Sequence, residues 1–163
     1  MPLSSTARPR SSVQHIQPIR RSGATYAPFL LRMTLGSLFI AHLYWKVAIF
    51  PGGLERWWSN FATNGYPSFV PWYVVSAELA GAVLLIPGIA VRWVSLYAVP
   101  MMIGAAHFWA TRNGFWFVSA GAELPIVWGI LLVLQFMLGA GPFALGPRIV
   151  ARPNSSLERL RGR

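Results

Sequence analysis

Two ionisable residues stand four apart in an otherwise apolar run: His42 and Lys46, within FIAHLYWKVAIFPGG, residues 39–53. In a helix that spacing puts both on one face. Glu78, His107 and Glu123 lie in or beside three other apolar runs. An ammonium beside a carboxylate can hold an anion or pass a proton, and an imidazole adds a proton acceptor or a ligand. A charge at the centre of a bilayer costs at least about 2.5–3.5 kcal/mol, so such groups usually pair and face the protein interior. Lys46 and Glu78 are the natural ion pair.

Each of these residues has a plainer reading. Lys46–Glu78 can be a structural pair that fixes helix packing, or Lys46 can snorkel to the headgroups. His107 can be satisfied by a carbonyl or by Glu123. Glu123 precedes Leu124-Pro125, and a carboxylate there sits well on the positive end of a helix. His42 and His107 facing each other could ligate a haem, but nothing else in the sequence supports one. The helical Glu-x-x-His pair of carboxylate-bridged metal sites is missing, so no metal site is assigned. No phosphate loop and no nucleophile elbow is present, and no catalytic residue is assigned.

The elements that position these residues are long and apolar. Of 163 residues, 55% are hydrophobic and 11% charged, against about 25% charged in soluble domains. The composition predicts an all-α integral membrane four-helix bundle. The spans are expected at about 27–50, 72–90, 93–111 and 123–139, each long enough to approach or cross about 30 Å of hydrocarbon. Pro51-Gly52-Gly53 stops the first run. Leu54, Trp57, Trp58 and Phe61 then repeat at helical spacing, predicting a short interfacial helix in the first outer loop. The loop after Arg112, RNGFWFVSAGA, is aromatic enough to lie along the interface. Gly81 and Ala82 follow Glu78 and allow another helix to approach closely.

The domain expectation is a disordered basic cytoplasmic tail at 1–25, a membrane domain at 26–147 and a second basic tail at 148–163. No cleaved signal peptide is expected. Eleven bases (Arg8, Arg10, Arg20, Arg21, Arg32, Arg92, Arg148, Arg152, Arg159, Arg161, Arg163) fall on one side of this topology. Lys46, Arg56 and Arg112 fall on the other. The bias puts both termini in the cytoplasm and the site in the outer leaflet. Arg32 and Arg92 read as structural anchors at the inner edge. The net charge of +10 is placed against anionic lipid rather than nucleic acid. With no cysteine, the chain has no disulfide and no thiol relay of its own.

At these residues the chain resembles the DoxX family of small bacterial membrane proteins. The resemblance runs over residues 31–146. It is carried by LRMTLGSLFIAHLYWK, FPGG, FATNGYP, AELAGAVLLIPGIAVRW, the AAHFW…NGF…SAGAELP arrangement and the closing LGAGPFALG. It departs from the family at Leu43, where glycine is common, and at Ala144-Leu145-Gly146-Pro147. The resemblance implies four membrane helices. Some members are linked to quinone-coupled oxidases or thiosulfate:quinone oxidoreductase, others to thiol and oxidative-stress complexes. The expectation is an accessory protein of the bacterial inner membrane, not catalytic on its own. Its expected partners are membrane lipids, redox-complex subunits, a quinone as the possible cofactor, or further copies of itself. A small-molecule or proton-coupled transporter and a purely structural partner are the alternatives.

Overall fold

The computed structural model describes residues 22–146, so residues 1–21 of the tail expected at 1–25, and the whole tail expected at 148–163, lie outside the described residues. Within them the chain is helical, with no strand. Helix α1 (Ser22–Tyr44) starts earlier than the apolar run suggests, taking in four residues assigned to the tail. A π turn, Trp45–Ile49, extends it. Helix α2 is Gly53–Thr63, over the four spaced aromatic and aliphatic residues. Helix α3 (Phe69–Ala80) is extended by a second π turn, Gly81–Leu85. Helix α4 is Val91–Asn113 and α5 is Glu123–Leu138. A single 3₁₀ turn, Phe117–Ser119, lies between them.

Helices α1, α3, α4 and α5 pack in a ring, each against two neighbours, and α2 packs against the first π turn and α3. Glycines set the closest approaches. A side chain at Gly81 would stand 2.2 Å from the Phe39 ring, and one at Gly36 would stand 2.7 Å from Ile86. Together they seat α1 on the second π turn. Leu35, Phe39, Leu85, Ala98 and Leu132 form the centre of the core.

The outer faces are apolar too. Leu30, Ile40, Tyr44, Val83, Trp93, Ile103, Ile130 and Met137 are exposed around the ring. Two helical stretches, Gly23–Ile49 and Val91–Asn113, are long and apolar enough to cross a membrane. The stretches Phe69–Leu85 and Glu123–Leu138 are apolar but shorter.

A buried ion pair between two π turns

Lys46 lies inside the first π turn, and Glu78 stands three residues before the second. A π turn closes i→i+5 bonds and inserts one residue into a helix, re-aiming the side chains beyond it. The Phe50 amide donates to the Trp45 carbonyl at 2.7 Å in this pattern. Lys46 Nζ donates to both carboxylate oxygens of Glu78. Both residues are only 4% exposed, so Lys46 does not snorkel. Among the described residues this is the one ion pair.

The third side of the ammonium is aromatic. Lys46 Nζ sits 4.7 Å from the centre of the Trp57 ring on α2, a contact that attracts a cation. Phe61 meets Trp57 edge-on at 4.8 Å and helps to fix that ring. Trp57 was legible as a member of an amphipathic helix. No local signal marks it as the lid of the pair.

His42, one turn before Lys46, is half-buried. Its Nδ1 lies 3.2 Å from the Leu38 carbonyl, which can only accept, so Nδ1 carries the proton and Nε2 of the neutral ring is left with its lone pair. The ring meets the edge of Trp128 at 4.6 Å, and Trp128 leans on Phe39 at 5.2 Å. Trp128 is buried, and its Nε1–H has no acceptor among the described residues. Sequence spacing gave no sign of it, because a tryptophan in an apolar run reads as core.

The model of the DoxX family matches residues 27–112. That is more than half of the chain, and it takes in α2 and α3 and most of α1 and α4, with His42, Lys46, Glu78 and His107. The chain belongs to the DoxX family. Its members are membrane proteins. No curated protein and no solved structure matches the chain.

The remaining candidates of this DoxX protein do not join the pair. His107 is exposed on α4, and its backbone carbonyl accepts from Thr111 at 3.0 Å. Glu123 is half-buried at the start of α5, and its Oε2 accepts from the Phe117 amide at 2.9 Å. It braces a loop. The expected layer of five ionisable residues therefore reduces to Lys46 and Glu78 with His42 beside them. Arg112 ties α4 to α2 by donating to Asn64 Oδ1 at 2.8 Å and covering the Phe108 ring at 3.7 Å.

At the other end of the ring Arg32 is fully buried, at 1% exposure. It donates to the carbonyls of Leu85 (3.2 Å), Ile86 (2.7 Å) and Pro142 (3.2 Å). It thus binds α1 to the end of the second π turn and to the segment after α5. The sequence reads it as an anchor at the inner edge, whereas its guanidinium lies inside the protein against backbone carbonyls. Arg92 is exposed and lies over Gly139, where a side chain would stand 3.2 Å from Nε.

A broad open groove of about 780 Å³ runs between α3 and α4, lined by Phe69, Tyr73, Trp93, Leu96, Tyr97 and Pro100. It holds none of the ionisable candidates. Its hydroxyls are satisfied locally: Tyr73 donates to the Tyr97 carbonyl at 2.6 Å, and Tyr97 and Ser76 share a bond of 2.8 Å.

Proposed function

We propose that this DoxX protein is a four-span protein of the bacterial inner membrane with both termini in the cytoplasm. In this reading α1, α3, α4 and α5 cross the bilayer, the two π turns included, and α2 lies in the outer interface. Its role is that of an accessory subunit of a quinone-linked or oxidative-stress-related redox system. It lends a polar site in the outer leaflet rather than a redox centre.

The observation that carries this is the buried Lys46–Glu78 pair beneath Trp57. Replacing a buried ion pair by well-packed apolar groups is often neutral or stabilising. A site kept ionic between two local departures from regular helix is therefore better explained by use than by stability, since π turns gather at functional sites.

A quinone fits the residues beside the pair. It needs a donor for its carbonyl oxygen in an otherwise apolar wall. The Trp128 Nε1–H is such a donor, and Phe39 supplies apolar surface next to it. His42, with Nε2 free to accept, would hold a proton at the ring edge, and Lys46 would keep that face positive. When bound, a quinone would supply two-electron, two-proton redox chemistry.

The test is purification in mild detergent with mass spectrometry of lipids, quinones and proteins that accompany the chain. The expected result is a quinone or a cofactor-bearing subunit retained by the wild type and lost from Trp128→Phe and Glu78→Gln at equal folded yield. Retention of neither by the wild type would contradict the reading. An optical spectrum of the same sample would show a Soret band if a haem were held.

The π turns also favour a second reading, a proton-coupled carrier, because an i→i+5 turn can revert to regular helix and swing Lys46 away from Glu78. Uptake into liposomes that is lost in Glu78→Gln would select it.

A further inference from the structure

Three side chains buried at the Arg32 end of the ring each keep a polar atom with no hydrogen-bond partner among the described residues: Arg32 Nε, Ser95 Oγ and Gln135 Oε1. Ser95 and Gln135 are 0% exposed and Arg32 1%. Buried polar groups are almost always paired, so each of these atoms calls for a partner. They come from α1, α4 and α5, and helix register brings them to one level.

Contacts on either side fix that register. Between α1 and α5, Phe39 meets Trp128, and a side chain at Gly141, just beyond α5, would stand 2.7 Å from Pro28. Arg32 lies between Pro28 and Phe39, and Gln135 lies between Trp128 and Gly141. Arg32 is seven residues before Phe39 and Gln135 seven after Trp128. Seven residues are about two turns, so the same two faces meet again. Between α4 and α5, Arg92 lies against Gly139, and a side chain at Gly129 would stand 3.3 Å from Met102. Ser95 lies between Arg92 and Met102, and Gln135 between Gly129 and Gly139. Gln135 is thus level with Arg32 on one side and with Ser95 on the other. The side chains packed around this level include the small ones of Ala98 and Ala140.

The leftover donors and acceptors are complementary. The other two guanidinium nitrogens of Arg32 are taken by the Leu85, Ile86 and Pro142 carbonyls, which leaves Nε–H as a donor. Gln135 Nε2 donates to the Gly139 carbonyl at 2.6 Å. That bond fixes the amide, and Oε1 can only accept. The Ser95 hydroxyl can do both. An anion would face the Gln135 oxygen with no proton to give it, and a metal ion would face the Arg32 charge. A neutral molecule that both accepts and donates suits all three, and a buried water makes about three hydrogen bonds.

We propose that Arg32, Ser95 and Gln135 form an internal hydration site for one water. The water accepts from Arg32 Nε–H, donates to Gln135 Oε1 and shares a bond with Ser95 Oγ. It completes the Arg32 clamp by joining α1 to α4 and α5. It is a bridge and not a relay, because the guanidinium keeps its proton. The site lies at the Arg32 end and stands or falls separately from the quinone reading.

The test is solid-state NMR of the full chain in bilayers of phosphatidylethanolamine and phosphatidylglycerol, with isotope-labelled arginine. The Arg32 Nε–H is the signal lost in Arg32→Lys. The expected result is a proton that exchanges slowly with solvent yet receives through-space transfer from water. Gln135→Leu and Ser95→Val should each lose that transfer, and Gln135→Glu, which keeps an acceptor, should retain it. The carbonyl clamp should keep the Arg32 signal slow to exchange in every variant, which checks the fold. Absence of transfer from water in the wild type would overturn the inference without any variant. Transfer from the Gln135 side chain in its place would mean a direct Arg32–Gln135 bond. Transfer that persists in both Gln135→Leu and Ser95→Val would place the water elsewhere and overturn the three-residue site.

Discussion

Two cations are buried among the described residues of this DoxX protein, Arg32 about midway along α1 and Lys46 in the π turn that extends it, and they are satisfied in opposite ways. Lys46 meets a carboxylate and an aromatic face. Arg32 meets three backbone carbonyls and, among the described residues, no carboxylate. A guanidinium cannot lose its proton in a protein, and its planar fork suits several carbonyls at once. Arg32 is therefore a fixed clamp on the backbone. Lys46 and Glu78 can exchange a proton, and either can release the other. Permanent charge serves architecture at one end, and labile charge is available for use at the other.

The comparison breaks most visibly at the labile end. Lys46→Met should leave the Glu78 carboxylate buried without its partner and cost about 3–5 kcal/mol. Unfolding in mixed detergent micelles would read that loss, and a change under about 1 kcal/mol would mean that the pair is solvated. At the other end Arg32→Lys keeps the charge but cannot reach three carbonyls at once. The cost there should be about 1.5–3 kcal/mol, one charge-assisted hydrogen bond, measured in the same assay. A loss as small as that of an exposed lysine would argue against the clamp.

Smaller effects sharpen the contrast. Gly81→Ala should push the Phe39 ring and cost about 1–3 kcal/mol, with Phe39→Leu recovering part of it in the double variant. Additive costs would show that the helices shift apart instead. Trp57→Leu should weaken the Lys46 end by about 0.5–2 kcal/mol and leave the Arg32 end unaffected, as read by the reactivity of cysteines placed at each end.

The contrast also explains what the sequence could reveal. Lys46 and Glu78 were legible as partners because ionisable groups in two apolar runs must find each other. His107 was not, because α4 is apolar on every side and its periodicity marks no inward face. Residue 107 has the same spacing in the chain whether it points inward or out. Glu123 was half legible: its place at a helix start was evident, but not the Phe117 amide that it holds. Arg32 looked like an edge anchor because its partners are carbonyls, which every residue has and no sequence pattern displays. The π turns are a matter of hydrogen-bond register and leave no mark in composition. The fold class came from composition and from Pro and Gly stops. The register within it depends on contacts such as Phe39 on Gly81 that only the packed helices show.

The most direct test of the central claim is a double-mutant cycle on Lys46→Met and Glu78→Leu, with unfolding free energies measured in detergent micelles. A buried, mutually dependent pair predicts that the double variant is more stable than either single one, so that the coupling exceeds the cost of Lys46→Met alone, about 3 kcal/mol or more. Additive effects within about 0.5 kcal/mol would contradict it and leave both residues as independent parts of an ordinary helix bundle.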